Sequence, residues 1–120
     1  MKKIEAVLHP FKLDDVREVL FENNVHEFTV TEINAHEVEG APAERWGRQN
    51  LTDLAPRLKL ELATSDRNAK AIADAILGAA RTRRPEDTSV TIAPLEQIVE
   101  IDTGELVTDV IAGPLAVAQH

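Results

Sequence analysis

The chain of 120 residues is 43% hydrophobic and 28% charged, the proportions of one globular domain with a real core. Its formal charge of −8 argues against a nucleic-acid partner and an anionic membrane surface, both of which call for concentrated Lys and Arg. The absence of cysteine excludes a disulfide, a thiol nucleophile and a thiolate metal site, and no apolar run approaches the ~18 residues of a membrane span, so a cytoplasmic, not membrane-inserted, domain is expected.

From Lys2, the positions Ile4, Ala6 and Leu8 alternate with polar or small neighbours, the period of a strand, which Pro10 ends. Lys12 to Asn24 follows with Leu13, Val16, Val19 and Leu20 at helical spacing. Asp14 and Asp15 sit where a first helical turn favours negative charge, and Asn23-Asn24 supplies a left-handed stop. A second strand is predicted from Glu27 to about His36, with Phe28, Val30 and Glu32 on one face and Thr29, Thr31 and Ile33 on the other.

From Glu37 to Ala55 the periodicity fails, interrupted by Gly40, Pro42 and Gly47. A loop of this length inside a compact domain is uncommon unless it is functional. It carries Arg45, Trp46 and Arg48, residue types enriched in interface hot spots, which serve either as a partner anchor or, for Trp46, as packing on its own domain.

Arg57 to Ala63 reads as a third strand, with Leu58, Leu60 and Leu62 alternating against Arg57, Lys59 and Glu61. Ser65 or Asp66 caps a second helix whose apolar face is Ala69, Ile72, Ala73, Ile76, Leu77 and Ala80. A charged loop from Arg81 to Thr88 leads to a fourth strand, Ser89 to Ala93, and a short extended piece, Gln97 to Ile101. The basic run Arg81, Arg83 and Arg84 is either a solvated loop or one wall of an anion pocket. The order β-α-β-loop-β-α-β is ferredoxin-like, an α+β fold with two helices on one face of an antiparallel sheet. The apolar tail from Val107 to Ala118, broken at Gly113-Pro114, reads as a flexible or partner-docking extension. This fold hosts many unrelated functions.

The four histidines, His9, His26, His36 and His120, form no H-x-x-x-H or H-x-H pair, and only His36 has acidic neighbours, Glu37 and Glu39. No metal site is therefore expected. No G-x-S-x-G, P-loop or G-x-G-x-x-G occurs, and Asp14-Asp15 is explained as helix-end charge, so no catalytic residue is assigned.

The opening Met1-Lys2-Lys3-Ile4-Glu5-Ala6 and the run Pro10-Phe11-Lys12-Leu13-Asp14-Asp15-Val16-Arg17-Glu18 closely resemble the amino terminus of the PII signalling family. Thr29-Val30-Thr31-Glu32 resembles its second strand. Pro56, Lys59 and Glu61 resemble the strand after its large T-loop. Ala79-Ala80-Arg81-Thr82 resembles the end of its second helix, and Thr103-Gly104-Glu105 its closing motif. The resemblance runs in register over residues 1–105, with the T-loop at about 37–54, the B-loop at about 82–88, and residues 106–120 as a C-terminal tail.

The resemblance implies a homotrimer with adenine-nucleotide clefts between subunits and a T-loop that docks on a membrane transporter or a metabolic enzyme. It places Thr29, Glu61, Leu62, Ala63 and Thr64 on the adenine and ribose side. Arg83, Arg84, Asp87, Thr88 and Ser89 fall around the phosphates, and Arg57 near the γ-phosphate or a small anion. Arg45, Trp46 and Arg48 fall on the partner-binding loop.

Three departures modify that expectation. The glycines of the B-loop are replaced, and Pro85 has no N–H to offer a phosphate. Two phosphate-reaching arginines of the family fall on Glu100 and Asp102, where a carboxylate repels a triphosphate. Val38 stands near the glutamine that holds 2-oxoglutarate and Mg²⁺, and a chain without tyrosine cannot be modified on a T-loop tyrosine. The expected ligand is ADP or AMP in preference to ATP, with bicarbonate as a candidate second input and no required cofactor. The alternative is a ligand-free trimeric interaction module.

Overall fold

A computed structural model describes residues 1–35, 55–82, 88–107 and 112–113 of the chain. In chain order the elements are β1 (Lys2–Leu8), a 3-10 turn (Pro10–Lys12), α1 (Leu13–Glu22), β2 (Thr29–Ala35), β3 (Ala55–Thr64), α2 (Asp66–Ala80), β4 (Ser89–Pro94) and β5 (Ala112–Gly113). The bounds differ from the predicted ones by a residue or two at most ends. The sheet runs β2-β3-β1-β4 with every neighbouring pair antiparallel, the ferredoxin-like order.

Pro10 ends β1 and opens the 3-10 turn, its fixed φ suiting a first helical position. Asp14 and Asp15 occupy the first turn of α1, where the helix dipole favours them. The helix ends at Glu22, and the predicted Asn23-Asn24 stop is realised at Asn24, which takes a left-handed φ of 65°. The Val25 N–H then donates to the Leu20 carbonyl at 2.8 Å and the Asn24 N–H to that of Phe21 at 3.0 Å, closing the last turn. Val25 is buried by this turn. At α2, Ser65 rather than Asp66 is the cap, its Oγ accepting from the Asn68 N–H at 3.3 Å.

Ile4, Ala6 and Leu8 of β1 and Leu58, Leu60 and Leu62 of β3 turn to the helices and pack with Val16, Leu20, Ala69, Ile72 and Ile76. Each fully buried Leu or Ile contributes about 1.5–3 kcal/mol. Leu77, predicted on this apolar face, lies 43% exposed. The opposite face is polar over most of its area. At one end it is covered by a smaller cluster of Ala63, Ile98 and Val107 with Met1 and Leu95.

That cover belongs to a turned segment in place of the predicted extended piece. Val99 bridges Leu106, the Val107 N–H donates to the Ile98 carbonyl at 2.8 Å, and Glu100 N–H to that of Glu105 at 2.9 Å. Gly104 reverses the chain at φ 70°. Beyond it, β5 pairs Ala112 with Thr64 and Gly113 with Ala63, a strand that the apolar composition of the tail did not signal. Among the described residues no helix is long and apolar enough to cross a membrane.

Candidate functional site

Alternation along β3 divides the candidate residues before any contact is considered. Arg57, Glu61 and Ala63 share the face away from the helices, and Leu62 and Thr64 share the core face. Leu62 and Thr64 are fully buried, so Leu62, part of the helix-covered core, offers a ligand its backbone rather than its side chain.

The rows across the open face follow from register. Thr29, Glu61, Glu5 and Thr91 form one row, and Thr31, Lys59, Val7 and Ser89 form another. Ile33 and Arg57 form a third. In the first row Thr29 Oγ1 donates to the Glu61 carbonyl at 3.3 Å. The Glu61 carboxylate meets Lys3 Nζ at 3.0 Å, and the same ammonium lies 3.6 Å from Glu5. The Glu61 hydrogen bond is the largest influence on Lys3, raising its pKa above the ordinary lysine value against the opposing effect of desolvation.

Arg57 is only 6% exposed, with Nη1 donating to the Pro56 carbonyl at 2.8 Å. Thr88 and Ser89 line a hollow of about 160 Å³ at the carboxyl end of α2, together with Val7, Leu77, Arg81 and Thr82. Its lining combines apolar residues of β1 and α2 with Thr82, Thr88, Ser89 and Arg81. Thr82 and Val7 were absent from the residues expected at the site, and the register that sets Val7 beside Ser89 accounts for Val7.

The described candidates thus fall into two groups at opposite ends of one sheet. Thr29, Glu61, Ala63 and Thr64 stand at the end covered by the turned segment that carries Glu100 and Asp102. Arg57 stands at the other, a four-residue step or about 13 Å from Glu61 along β3, while Ser89, in the Lys59 row, lies on the edge strand β4, three strands across from Thr29 on β2. A single chain does not bring the two groups together. Arg83, Arg84 and Asp87, the T-loop residues Arg45, Trp46 and Arg48, and Val38 lie outside the described residues. Among the described residues no group of three or more His, Asp or Glu side chains is placed to hold a metal ion.

Comparison with known proteins gives this arrangement a family. The model of the family described as nitrogen regulatory protein P-II matches residues 1–105. The nitrogen regulatory protein P-II of Rhizobium meliloti (strain 1021) is 38% identical over 112 residues, covering 92% of this chain and all of the relative. That of Azospirillum brasilense is 38% identical with the same coverage, and that of Microchaete diplosiphon 35% identical, again with the same coverage.

Proposed function

The chain belongs to the P-II family of nitrogen regulatory proteins, and from that premise we propose that it senses an adenine nucleotide in clefts between the subunits of a homotrimer. It is a signalling protein and not an enzyme, as the family is. The observation that carries the proposal is the separation of the candidate residues into two half-sites at opposite ends of the sheet. A cleft that joins the Arg57, Thr88 and Ser89 end of one subunit to the Thr29, Glu61 and Thr64 end of its neighbour completes a site that one chain leaves divided.

In this reading the hydroxyls of Thr88 and Ser89, with Arg83, Arg84 and Asp87 of the preceding loop, receive the phosphates. Thr29 and the backbone of Glu61 to Thr64 receive the adenine and ribose. Glu100 and Asp102 stand where the family resemblance has two phosphate-reaching arginines, and in that role their charge disfavours a third phosphate. ADP or AMP is therefore the preferred ligand. Ligand binding shifts the T-loop to the extent that one loop state binds it better. The loop, with Arg45, Trp46 and Arg48, then acts on a transporter or a metabolic enzyme. The buried guanidinium of Arg57 suits a small anion such as bicarbonate as a second input.

Charge reversal at Glu100 and Asp102 favours one other reading, a trimeric docking module without a nucleotide. Isothermal titration calorimetry of the purified assembly against ATP, ADP and AMP, each with and without bicarbonate, separates the two. Micromolar binding of ADP or AMP ahead of ATP is expected. Silence for all three nucleotides overturns the sensor and leaves the docking module.

A further inference from the structure

The described surface carries an apolar projection and an apolar-walled hollow that do not meet within one chain. We propose that they meet between copies, with Ile101 of one subunit seated beside Leu77 in the hollow of its neighbour. The proposal rests on the homotrimer of the reading above and not on its nucleotide.

The projection is the hairpin closed by the bridge between Val99 and Leu106. Ile98 and Val107, one step along each arm, are buried against Ala63. Alternation turns Val99 and Leu106 outward, and both are about half exposed. Ile101 stands on the turn beyond them and is 96% exposed. Polar residues and glycine serve a turn without leaving apolar surface in water, and neighbouring apolar side chains held there mark a contact surface.

The hollow lies where the end of α2 meets the end of β1 and the start of β4. Val7, Leu77, Ala80 and Val90 give it apolar walls, and its volume is about 160 Å³. A space of this order admits one benzene-sized apolar group, not a folded segment. The occupant is therefore a single side chain.

Ile101 fills no hollow of its own chain, since nearly all of it meets water. The base of its hairpin packs at the Met1 and Ala63 end of the sheet, whereas the hollow adjoins Val7 and Leu8 at the far end of β1. A projection at one end and a hollow at the other make a heterologous contact, which repeats head to tail and closes into a ring. Three such seats leave no Ile101 uncovered.

Charge agrees with this pairing. Glu100 and Asp102 flank Ile101, and Arg81 lines the hollow. None of the three forms an ion pair among the described residues. Charges at the rim of a contact guide its register more than they hold it. The seat also brings the turn to Thr88 and Ser89 of the neighbour, which line the same hollow.

The absence of native cysteine lets a designed pair report the contact. Ile101→Cys with Leu77→Cys, oxidised in the intact assembly without nucleotide, is expected to give a covalent trimer on a non-reducing denaturing gel. A disulfide needs Cβ atoms within about 4.5 Å. Lys70 is exposed two turns back along α2, about 10 Å from Leu77, and Ile101→Cys with Lys70→Cys is expected to give no link. Ile101→Asp alters a side chain without contacts in its own chain, and is expected to weaken assembly at least tenfold in analytical ultracentrifugation. No link from the Leu77 pair, equal links from both pairs, or unchanged assembly of Ile101→Asp overturns the seat. A covalent dimer in place of the trimer keeps the seat and overturns the threefold assembly. A trimer link in a protein silent towards nucleotides in calorimetry keeps the seat and overturns the sensor.

Discussion

Lys3 Nζ lies 3.0 Å from the Glu61 carboxylate and 3.6 Å from that of Glu5, and so holds together two acidic side chains that face each other directly across β1 and β3. Like charges in direct cross-strand register are destabilising, and the ammonium sits diagonally between them. The lysine and Glu61 side chains are 31% and 17% exposed, so screening leaves the ion pair itself a modest contribution, about 0.5–1 kcal/mol.

Lys3→Met removes the pair and exposes the repulsion. The expected cost is about 1 kcal/mol, or about 4 °C in Tm for a chain of this size. Adding Glu61→Gln to Lys3→Met recovers most of that loss, and strictly additive losses in the double-mutant cycle would exclude the coupling. The pH dependence has a defined sign. A lysine whose pKa is raised by folding contributes fully below its unfolded value and loses that contribution as pH rises through the folded one. Melting curves of the parent and Lys3→Met are expected to differ at neutral pH and converge in strongly alkaline buffer.

Asn24 ends α1 with φ at 65°, a conformation that a side chain with Cβ pays about 1–2 kcal/mol to adopt unless it is Asn or Asp. Asn24→Gly is expected to hold or slightly raise Tm. Asn24→Val is expected to lower it by roughly 4–8 °C, since Val combines the left-handed strain with β-branching. Equal melting temperatures for the two variants would show that the turn is held by the contacts of Val25 and Leu20 instead.

The alternation of Leu58, Leu60 and Leu62 and the helical spacing of Val16 and Leu20 made the sheet and the first helix legible, because both periodicities are set by one buried face. Asn24 was legible for a local reason, its tolerance of a left-handed φ. β5 was not, since Ala112 and Gly113 carry no strand pattern and are placed by the free edge of β3 beyond β2. The exposure of Leu77 was missed as well, because helical periodicity assigns it to the apolar face but not to the open hollow at the end of that face. The two half-sites show the same limit. Thr29 and Ser89 were named from their local motifs, but their separation across the sheet depends on strand order, which no local pattern encodes.

Thr29 is exposed, and its hydroxyl donates to the Glu61 carbonyl at 3.3 Å. An exposed bond of this length contributes little to folding, so Thr29→Val is expected to leave Tm within about 2 °C. If the hydroxyl instead serves a nucleotide on the second half-site, ADP or AMP affinity falls roughly tenfold, which corresponds to about 1.4 kcal/mol. An unchanged affinity in calorimetry would remove Thr29 from the site.

Charge reversal at the turned segment is the sharpest test of the proposed nucleotide cleft. Glu100 is half-buried and Asp102 exposed on a turn fixed by the Glu100–Glu105 and Gly104–Glu100 backbone hydrogen bonds, so replacing their side chains leaves the turn itself intact. On the proposed nucleotide reading, Glu100→Arg with Asp102→Arg converts two repulsions of a phosphate chain into two attractions. At surface dielectric values each reversal is worth on the order of 1 kcal/mol or more, so ATP affinity is expected to rise at least tenfold and to weaken again with added salt. ADP should gain less and AMP least, in the order of their charge. A gain confined to ATP and ADP identifies an intact cleft whose selectivity is set by these two carboxylates. If the double variant binds none of the three, the loop that lost its glycines and gained Pro85 has closed the phosphate site, and the carboxylates mark a surface already given over to docking.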